Sequence, residues 1–157
     1  MTGLVVPNVS WMPAVYYALA VVSAVVPWAN AEVLMLSAVP LTGSPMHLGV
    51  LVVAVTLGQM TGKSVMYWAS RHAAYPRGRR LQSVIDRGRE HFQRHPRGAL
   101  GVMLVSALMG LPPFYLVVLA AGALNIAFIR FFVVGFAGRL AHFALVAFVP
   151  HLIGRMS

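Results

Sequence analysis

One acidic residue, Glu32, is isolated from the other acids of the chain and could bind a substrate or exchange a proton. The sequence has three acidic residues, and the other two, Asp86 and Glu90, lie together in a basic segment. Glu32 instead ends the apolar stretch V-P-W-A-N-A-E. A carboxylate in such a segment usually faces the interior of a helical bundle or a water-filled cavity. Desolvation favours its neutral form and a nearby cation its charged form, so its surroundings decide whether it can exchange a proton.

Two cations in apolar runs are the candidate partners of Glu32, and a histidine lies beside one of them. Arg139 follows Arg130 by nine residues within one apolar run, and Lys63 lies in another. His142 is three residues after Arg139, so the two share one face of a helix. We predict that Arg139 pairs with Glu32 and that these residues together bind substrate or protons.

The sequence leaves a structural role open for each of these basic residues. Lys63 precedes Arg71 by ~12 Å of helix, so its ammonium could snorkel toward lipid headgroups. Arg139 could form an ion pair with Glu32 that only holds the two halves of the chain together. His142 could relay protons or simply hydrogen-bond within the core, which is more common for a lone histidine.

The composition is that of an integral membrane protein with a single domain, residues 1–157. Hydrophobic residues make up 59% of the chain and charged residues 10%, and the mean hydropathy is +0.79. The absence of cysteine excludes disulfides and thiolate metal sites, and neither a metal nor a cofactor is expected. No serine has a histidine and an acid nearby in sequence, so an enzyme is disfavoured. The fold class indicated is an all-α membrane protein.

A basic segment, residues 71–97, divides the chain between apolar runs. The net charge is +9, and eight of the twelve Lys and Arg residues fall in this segment: Arg71, Arg77, Arg79, Arg80, Arg87, Arg89, Arg94 and Arg97. Its apolar residues recur at helical spacing opposite the arginines, which predicts a basic amphipathic helix on the membrane surface. The positive-inside rule places such a segment in the cytoplasm. Because the charge lies between apolar runs, binding to nucleic acid is not expected.

The first apolar region, residues 12–45, reads as two half-length helices joined at Pro27-Trp28-Ala29-Asn30. Asn30 can cap the second helix. Neither piece spans a bilayer alone, a pattern typical of a re-entrant hairpin covered by protein or a watered cavity. One long helix kinked at Pro27 is the alternative. Ala29-Asn30-Ala31 resembles a signal cleavage site, but the basic region that precedes such sites is absent.

The remaining apolar runs repeat this order of hairpin and span. Residues 47–70 predict a transmembrane helix, in which Gly58 and Gly62 form a GxxxG pattern that lets another helix approach closely. Residues 98–129 predict a second hairpin, broken at Pro112-Pro113, and residues 131–150 a second transmembrane helix. We therefore predict an internal duplication. With the basic segment in the cytoplasm the two repeats are inverted, and the hairpins enter from opposite faces.

The tips of the two hairpins are a candidate anion site. A helix that begins at membrane depth presents free N–H groups and a positive dipole end, both of which attract anions. Asn30 marks this position in the first hairpin. Pro112 and Pro113 mark it in the second, where a proline suits the first helical turn. Facing tips could bind a small anion such as a lipid phosphate.

Several of these motifs resemble the DedA or VTT-domain (SNARE-associated) family of membrane proteins. The resemblance runs from about residue 26 to residue 145, and the small, divergent YqaA-like members are the most similar. It rests on P-W-A-N-A-E and the glycines and basic residues after it, as well as on L-A-A-G and R-F in the second half: residues 27–32, Gly43, Gly58, Gly62, Tyr67, Arg71, residues 119–122, Arg130, Phe131 and Gly138.

The resemblance implies two facing re-entrant hairpins and proton-coupled movement of a lipid phosphate, which is undecaprenyl phosphate in bacteria. Eukaryotic relatives are phospholipid scramblases. The expected location is the bacterial inner membrane, with membrane lipids and protons as partners, and a homo-oligomer is left open. The chain departs from the family where Lys63 replaces an aspartate. It also departs near Leu108 and Phe114, where the family has paired arginines. Glu32 alone carries over.

Two functions are therefore predicted as alternatives. The first is a DedA-like transporter of a lipid phosphate or small anion, in which Glu32 responds to protons and Arg139 supplies the positive charge that the family places elsewhere. The second is a membrane scaffold without transport, in which Glu32 and Arg139 form a structural pair and the basic segment binds a partner or anionic lipid.

Overall fold

The computed structural model describes residues 9–25, 31–42, 44–73 and 79–156, and within these ranges the chain is helical almost throughout and contains no strand. The predicted all-α fold is therefore confirmed. Short 3-10 turns occupy Val9–Trp11 and Val39–Leu41. The α-helices are α1 (Met12–Val25), α2 (Ala31–Ala38), α3 (Pro45–Ala73), α4 (Arg79–Arg94), α5 (Pro96–Met109), α6 (Phe114–Ala123) and α7 (Phe128–Met156).

Two helices in the described part of the chain, α3 and α7, are long and apolar enough to cross a membrane, judged by length and composition. Each has 29 residues, so each extends beyond the predicted spans 47–70 and 131–150. Pro45 suits the first position of α3, where no N–H is needed. α7 continues through Pro150, where the span was predicted to end. A proline within an apolar helix is tolerated when its neighbours compensate for the lost hydrogen bond.

A pair of short helices precedes each long helix. α1 and α5 have 14 residues each, α2 has 8 and α6 has 10. A helix of 14 residues is roughly 21 Å long, which is less than the ~30 Å of a hydrocarbon core. In the second pair the chain leaves the helix at Gly110, whose φ of 75° is left-handed, and resumes at Phe114. A helix break therefore lies at the predicted position. Pro27, Trp28, Asn30 and Gly43, predicted to belong to the first hairpin, lie outside the described residues.

The short helices pack on the long ones in a repeated arrangement. α1 packs along α3, and α5 packs along α7, so the first helix of each pair lies on the long helix that follows it. α6 crosses to α3, while α2 contacts both α3 and α7. The long helices also touch each other, which joins the two halves into one bundle. α4, the basic helix expected within residues 71–97, lies against α5.

Glycines on the long helices allow this close packing. A Cβ atom on Gly62 would lie 2.5 Å from the Cβ of Ala24 on α1. A Cβ atom on Gly138 would lie 2.6 Å from the Cβ of Ala107 on α5. Real Cβ atoms do not approach so closely, so only glycine fits at either position. The close approach predicted from the GxxxG pattern of α3 is present, and α7 repeats it.

Candidate functional site

Glu32 lies in the first turn of α2, where the helix dipole stabilises a negative charge. Its Oε1 atom is 3.1 Å from Nε2 of His142 on α7. The His142 side chain is 14% exposed and that of Glu32 is 47% exposed, so the imidazole is largely enclosed by the bundle while the carboxylate is half-exposed. The sequence placed both residues among the site candidates, but it did not predict their direct hydrogen bond.

The second ring nitrogen of His142 determines what the first can do. Nδ1 lies 2.6 Å from the carbonyl oxygen of Leu108 on α5. A carbonyl only accepts, so Nδ1 must carry a hydrogen and donate it. The bond between Nε2 and Glu32 then needs one further proton, held either by the imidazolium or by the carboxylic acid. The Glu32–His142 pair is therefore satisfied when the two side chains share one proton.

Arg139 lies one turn before His142 on α7 and packs between two aromatic rings. Its Cζ atom is 5.0 Å from the ring centre of Phe114 and 5.7 Å from that of Phe143, both within the range of cation–π attraction. Phe114 is the first residue of α6, so the guanidinium lies beside the N-terminus of that helix. Phe114 is thus part of the site.

The Nε atom of Arg139 is the only buried side-chain nitrogen or oxygen in the described part of the chain that has no hydrogen-bond partner. Such an atom requires a physical explanation, because an unsatisfied buried donor is unfavourable. Glu32 attracts the guanidinium electrostatically, and a direct ion pair between the two side chains stays a prediction. The hydrogen bond that Glu32 makes to His142 adds a second partner to that prediction.

Lys63 is buried, with 6% of its surface exposed. Its ammonium donates to the carbonyl oxygen of Ala24, at 2.7 Å. Ala24 belongs to the last turn of α1, whose carbonyls have no partner within the helix. The alternative that Lys63 snorkels to the headgroups is therefore wrong, because its ammonium is buried against the end of α1. The charge of Arg139 also acts on Lys63, which places both cations in one electrostatic cluster.

The sequence predicted that Pro112 and Pro113 form the first turn of α6, but both residues precede that helix. Pro113 is the N-cap residue and Phe114 the first helical one. Pro113 disfavours a helical conformation at Pro112, because a residue before proline is restricted. The Pro112 carbonyl accepts a hydrogen bond from the hydroxyl of Ser106, at 2.5 Å. The prolines thus shape the connection that brings Phe114 under Arg139, while Asn30 lies outside the described residues.

The structure therefore brings Glu32, His142 and Arg139 together where α2, α5, α6 and α7 meet, and places Lys63 at the end of α1. The carbonyls of Leu108 and Ala24, which complete the site, carry no signal in the sequence because every residue has a carbonyl. The described residues contain no group of His, Asp or Glu arranged to hold a metal ion.

Comparison with known proteins identifies the family. The family model of the VTT domain matches residues 26–152, a range that includes Glu32, Lys63, Arg139 and His142. No curated protein and no solved structure matches the chain. A match over most of the chain shows that it belongs to the VTT-domain family, the DedA or SNARE-associated proteins.

Proposed function

We propose that the chain is a multi-pass protein of a bacterial inner membrane that moves a lipid phosphate, such as undecaprenyl phosphate or a phospholipid, or a small anion, together with protons. VTT-domain proteins are membrane proteins associated with transport, and the family is not known for enzymatic activity. Large apolar side chains on the surface support this location: Met46 is 80%, Ile129 66% and Val33 63% exposed. Extensive apolar surface is expected where helices face lipid.

In the proposed topology the two pairs of short helices are re-entrant hairpins of inverted repeats. Helices too short to cross the bilayer must enter and return on the same side. The exposed basic residues Arg94 and Arg97 near the α4–α5 junction favour a cytoplasmic position for α4. α3 then runs inward and α7 outward, so the hairpins enter from opposite faces and meet at the Glu32–His142 pair.

The single observation that carries the proposal is the hydrogen bond between Glu32 and His142, with Arg139 beside it. It joins the first short pair to α7 and, through Leu108, to the second short pair. Ionisable side chains are costly to bury among apolar helices, and such residues mark a functional site by default. Here it combines a group that can hold a proton with a cation that can bind an anion.

The proton belongs to the Glu32–His142 pair. With one shared proton the pair has no net charge, and each polar atom facing the other has a partner. If the proton leaves, the lone pair of Nε2 faces the carboxylate oxygen, and the two repel. The carboxylate can then turn to the guanidinium of Arg139, which attracts it already. Loss of the proton and pairing of Glu32 with Arg139 are thus two parts of one change.

In this proposal the anion binds at Arg139. Its buried Nε donor lacks a partner, and the N-terminus of α6 adds the positive end of a helix dipole. Lys63 adds positive charge nearby. The positive charge that the family places near Leu108 and Phe114 is here supplied from α7, because the guanidinium lies over the Phe114 ring. A phosphate monoester would find a charge-assisted donor at this position.

Proton and anion are linked because Glu32 competes with the anion for Arg139. A protonated Glu32–His142 pair does not compete, so the anion binds more tightly when the pair holds its proton. By reciprocity the bound anion holds the proton on the pair. The two therefore move in the same direction, and transport increases as the pH on the side of anion entry falls.

Transport of a lipid phosphate across liposomes tests this function. The variants are Glu32→Gln and His142→Gln, and the control is Glu90→Gln, which removes a carboxylate from an exposed ion pair on α4. We expect both site variants to lose about tenfold or more in rate, the effect of removing a hydrogen bond to a charged group. The rate of His142→Gln should also respond less to pH than that of the wild type, while Glu90→Gln behaves as the wild type.

Equal rates for all four proteins, with the variants folded by circular dichroism, would exclude the Glu32–His142 pair from transport. They would favour the scaffold instead. One observation supports that second candidate: Lys63 and His142 each bind the carbonyl at the end of a short helix, which a purely structural cluster would also do. A scaffold predicts that Glu32→Gln lowers thermal stability in detergent and that no lipid movement depends on the residue.

A further inference from the structure

A groove between α4, α5 and α6 has no role in the proposed transport site. Its volume is about 460 Å³, within the range of roughly 300–1,000 Å³ typical of small-ligand sites. Most of its lining is apolar, as at Val102, Met103 and Val117. Small residues give the groove its depth, among them Ala99 and Ala121. Its lining does not include Glu32, Lys63, Arg139 or His142.

A second, polar cavity of about 370 Å³ continues this groove. The two share the side chains of Phe92, Leu124 and Ile126. The polar cavity adds Asn125 and Arg130 to these, at the turn into α7. The joined space is therefore amphipathic, with an apolar part between α5 and α6 and a cationic end beside α7.

The walls of the groove are held in place by close packing of α4 on the end of α6. A Cβ atom on Gly88 of α4 would lie 2.9 Å from a methyl carbon of Leu124. Phe92, one turn further along α4, lines both the apolar part and the polar part. The basic helix thus serves as one side of a preformed space.

Charge identifies the occupant. Arg130 is exposed, as are Arg87 and Arg94 on α4 and Arg97 at the start of α5. A cationic ligand would be repelled by this surface. A free phosphate would leave the apolar part empty, and a neutral chain would leave the guanidinium of Arg130 unused. An anionic phospholipid satisfies both ends, and lipids of this kind are attracted to basic surface helices.

We propose that this groove binds one acyl chain of an anionic phospholipid, whose phosphate lies on Arg130. The lipid would fill the space between α4 and the second short pair and would tie the basic helix to the bundle. The site is separate from the transport site, so its occupant is a resident lipid and not the molecule that moves.

Lipid retention measured by native mass spectrometry tests the proposal. The purified full chain is mixed with phosphatidylglycerol or phosphatidylcholine in detergent. Arg130→Gln removes the charge at the polar end, and Ala99→Phe fills the apolar part. Arg94→Gln is the matched control, because it removes an exposed arginine that pairs with Glu90 and does not line the groove.

The wild type should retain phosphatidylglycerol in preference to phosphatidylcholine. Arg130→Gln should lower that retention about fivefold, the effect of one arginine near an anionic surface. Ala99→Phe should lower it at least as much, and Arg94→Gln should change it little. Should Ala99→Phe fail to fold, Val102→Phe replaces it, because Val102 lies at the exposed rim of the groove, with 53% of its surface accessible.

Two results would overturn the proposal. Equal losses in Arg130→Gln and Arg94→Gln would show attraction to basic surface without a site. Undiminished retention in the folded filling variant would show that no chain enters the groove. Transport of lipid phosphate by the filling variant is a separate measurement and tests the proposed function. A loss of transport would not change what the retention measurement shows about the groove.

Discussion

In both halves of the molecule a glycine is followed by a cation on the long helix, but the two cations have different roles. In the first half, Gly62 admits α1 and the adjacent Lys63 donates to the carbonyl of Ala24 at the end of that helix. In the second half, Gly138 admits α5, but the adjacent Arg139 turns to aromatic rings. The same scaffold thus holds one cation that is hydrogen-bonded to the end of a short helix and one that has a buried donor without a partner.

In the second half, a different residue binds the carbonyl at the end of the short helix. The carbonyl of Leu108 on α5 is bound by His142, one turn beyond Arg139. This substitution releases the guanidinium from a structural task and brings an imidazole to Glu32. The comparison indicates that the position of the cation in each half depends on which side chain binds the carbonyl at the end of the short helix.

The strongest way to break this comparison is to neutralise each cation in turn. Arg139→Gln should lower lipid-phosphate transport in liposomes about tenfold to hundredfold, because it removes a charged donor to the anion. Lys63→Gln should retain most of the transport per folded molecule and should instead lower thermal stability, since the end of α1 loses a charged donor. If Lys63→Gln abolished transport while Arg139→Gln did not, the assignment of roles would be reversed.

A second way is to remove the glycines that admit the short helices. Gly62→Ala and Gly138→Ala place a Cβ atom 2.5 and 2.6 Å from an alanine Cβ of the neighbouring helix. Each should destabilise the protein by about 1–3 kcal/mol, the usual cost of overpacking, as measured by unfolding in detergent. Gly49→Ala on α3 is the control, because a Cβ there meets nothing within 4 Å.

Equal stability of all three glycine variants would mean that the short helices shift without cost and that the two halves are not closely packed. A loss of stability in only one of Gly62→Ala and Gly138→Ala would show that the glycine is needed for packing in one half alone. Either result would weaken the view that both halves rest on the same scaffold.

The architecture was predictable because it depends on local features of the sequence. Apolar run length separates the two long helices from the shorter ones, and the Pro112-Pro113 pair marks the break between α5 and α6. Glu32 was predictable as a site residue because an acid in an apolar segment is unusual. These signals need no knowledge of which helices touch.

The partners of the charged residues were not predictable, because they arise from tertiary packing. Lys63 lies 39 residues from its acceptor Ala24, and His142 lies 110 residues from Glu32. Both basic residues also bind backbone carbonyls, which look the same at every position of a sequence. Snorkelling of Lys63 was a reasonable alternative until α1 was seen to end beside it.

The smallest expected effect concerns the aromatic residue four positions after each cation, Tyr67 in the first half and Phe143 in the second, both fully buried. The Tyr67 hydroxyl donates to the carbonyl of Ile126 and accepts from Arg71 at 2.8 Å. Tyr67→Phe should therefore lower the free energy of unfolding by about 1 kcal/mol. Tyr115→Phe, at an exposed position, should change it little.

The reverse exchange sharpens the same point, because Phe143→Tyr would bring a hydroxyl into a fully buried site beside Arg139. It should destabilise the protein if the O–H finds no acceptor, because the Arg139 guanidinium only donates and can satisfy the hydroxyl oxygen alone. A Tyr67→Phe variant as stable as the wild type would show that ring packing alone holds this position. The presence of tyrosine in one half and phenylalanine in the other would then not contribute to the different roles of the two halves.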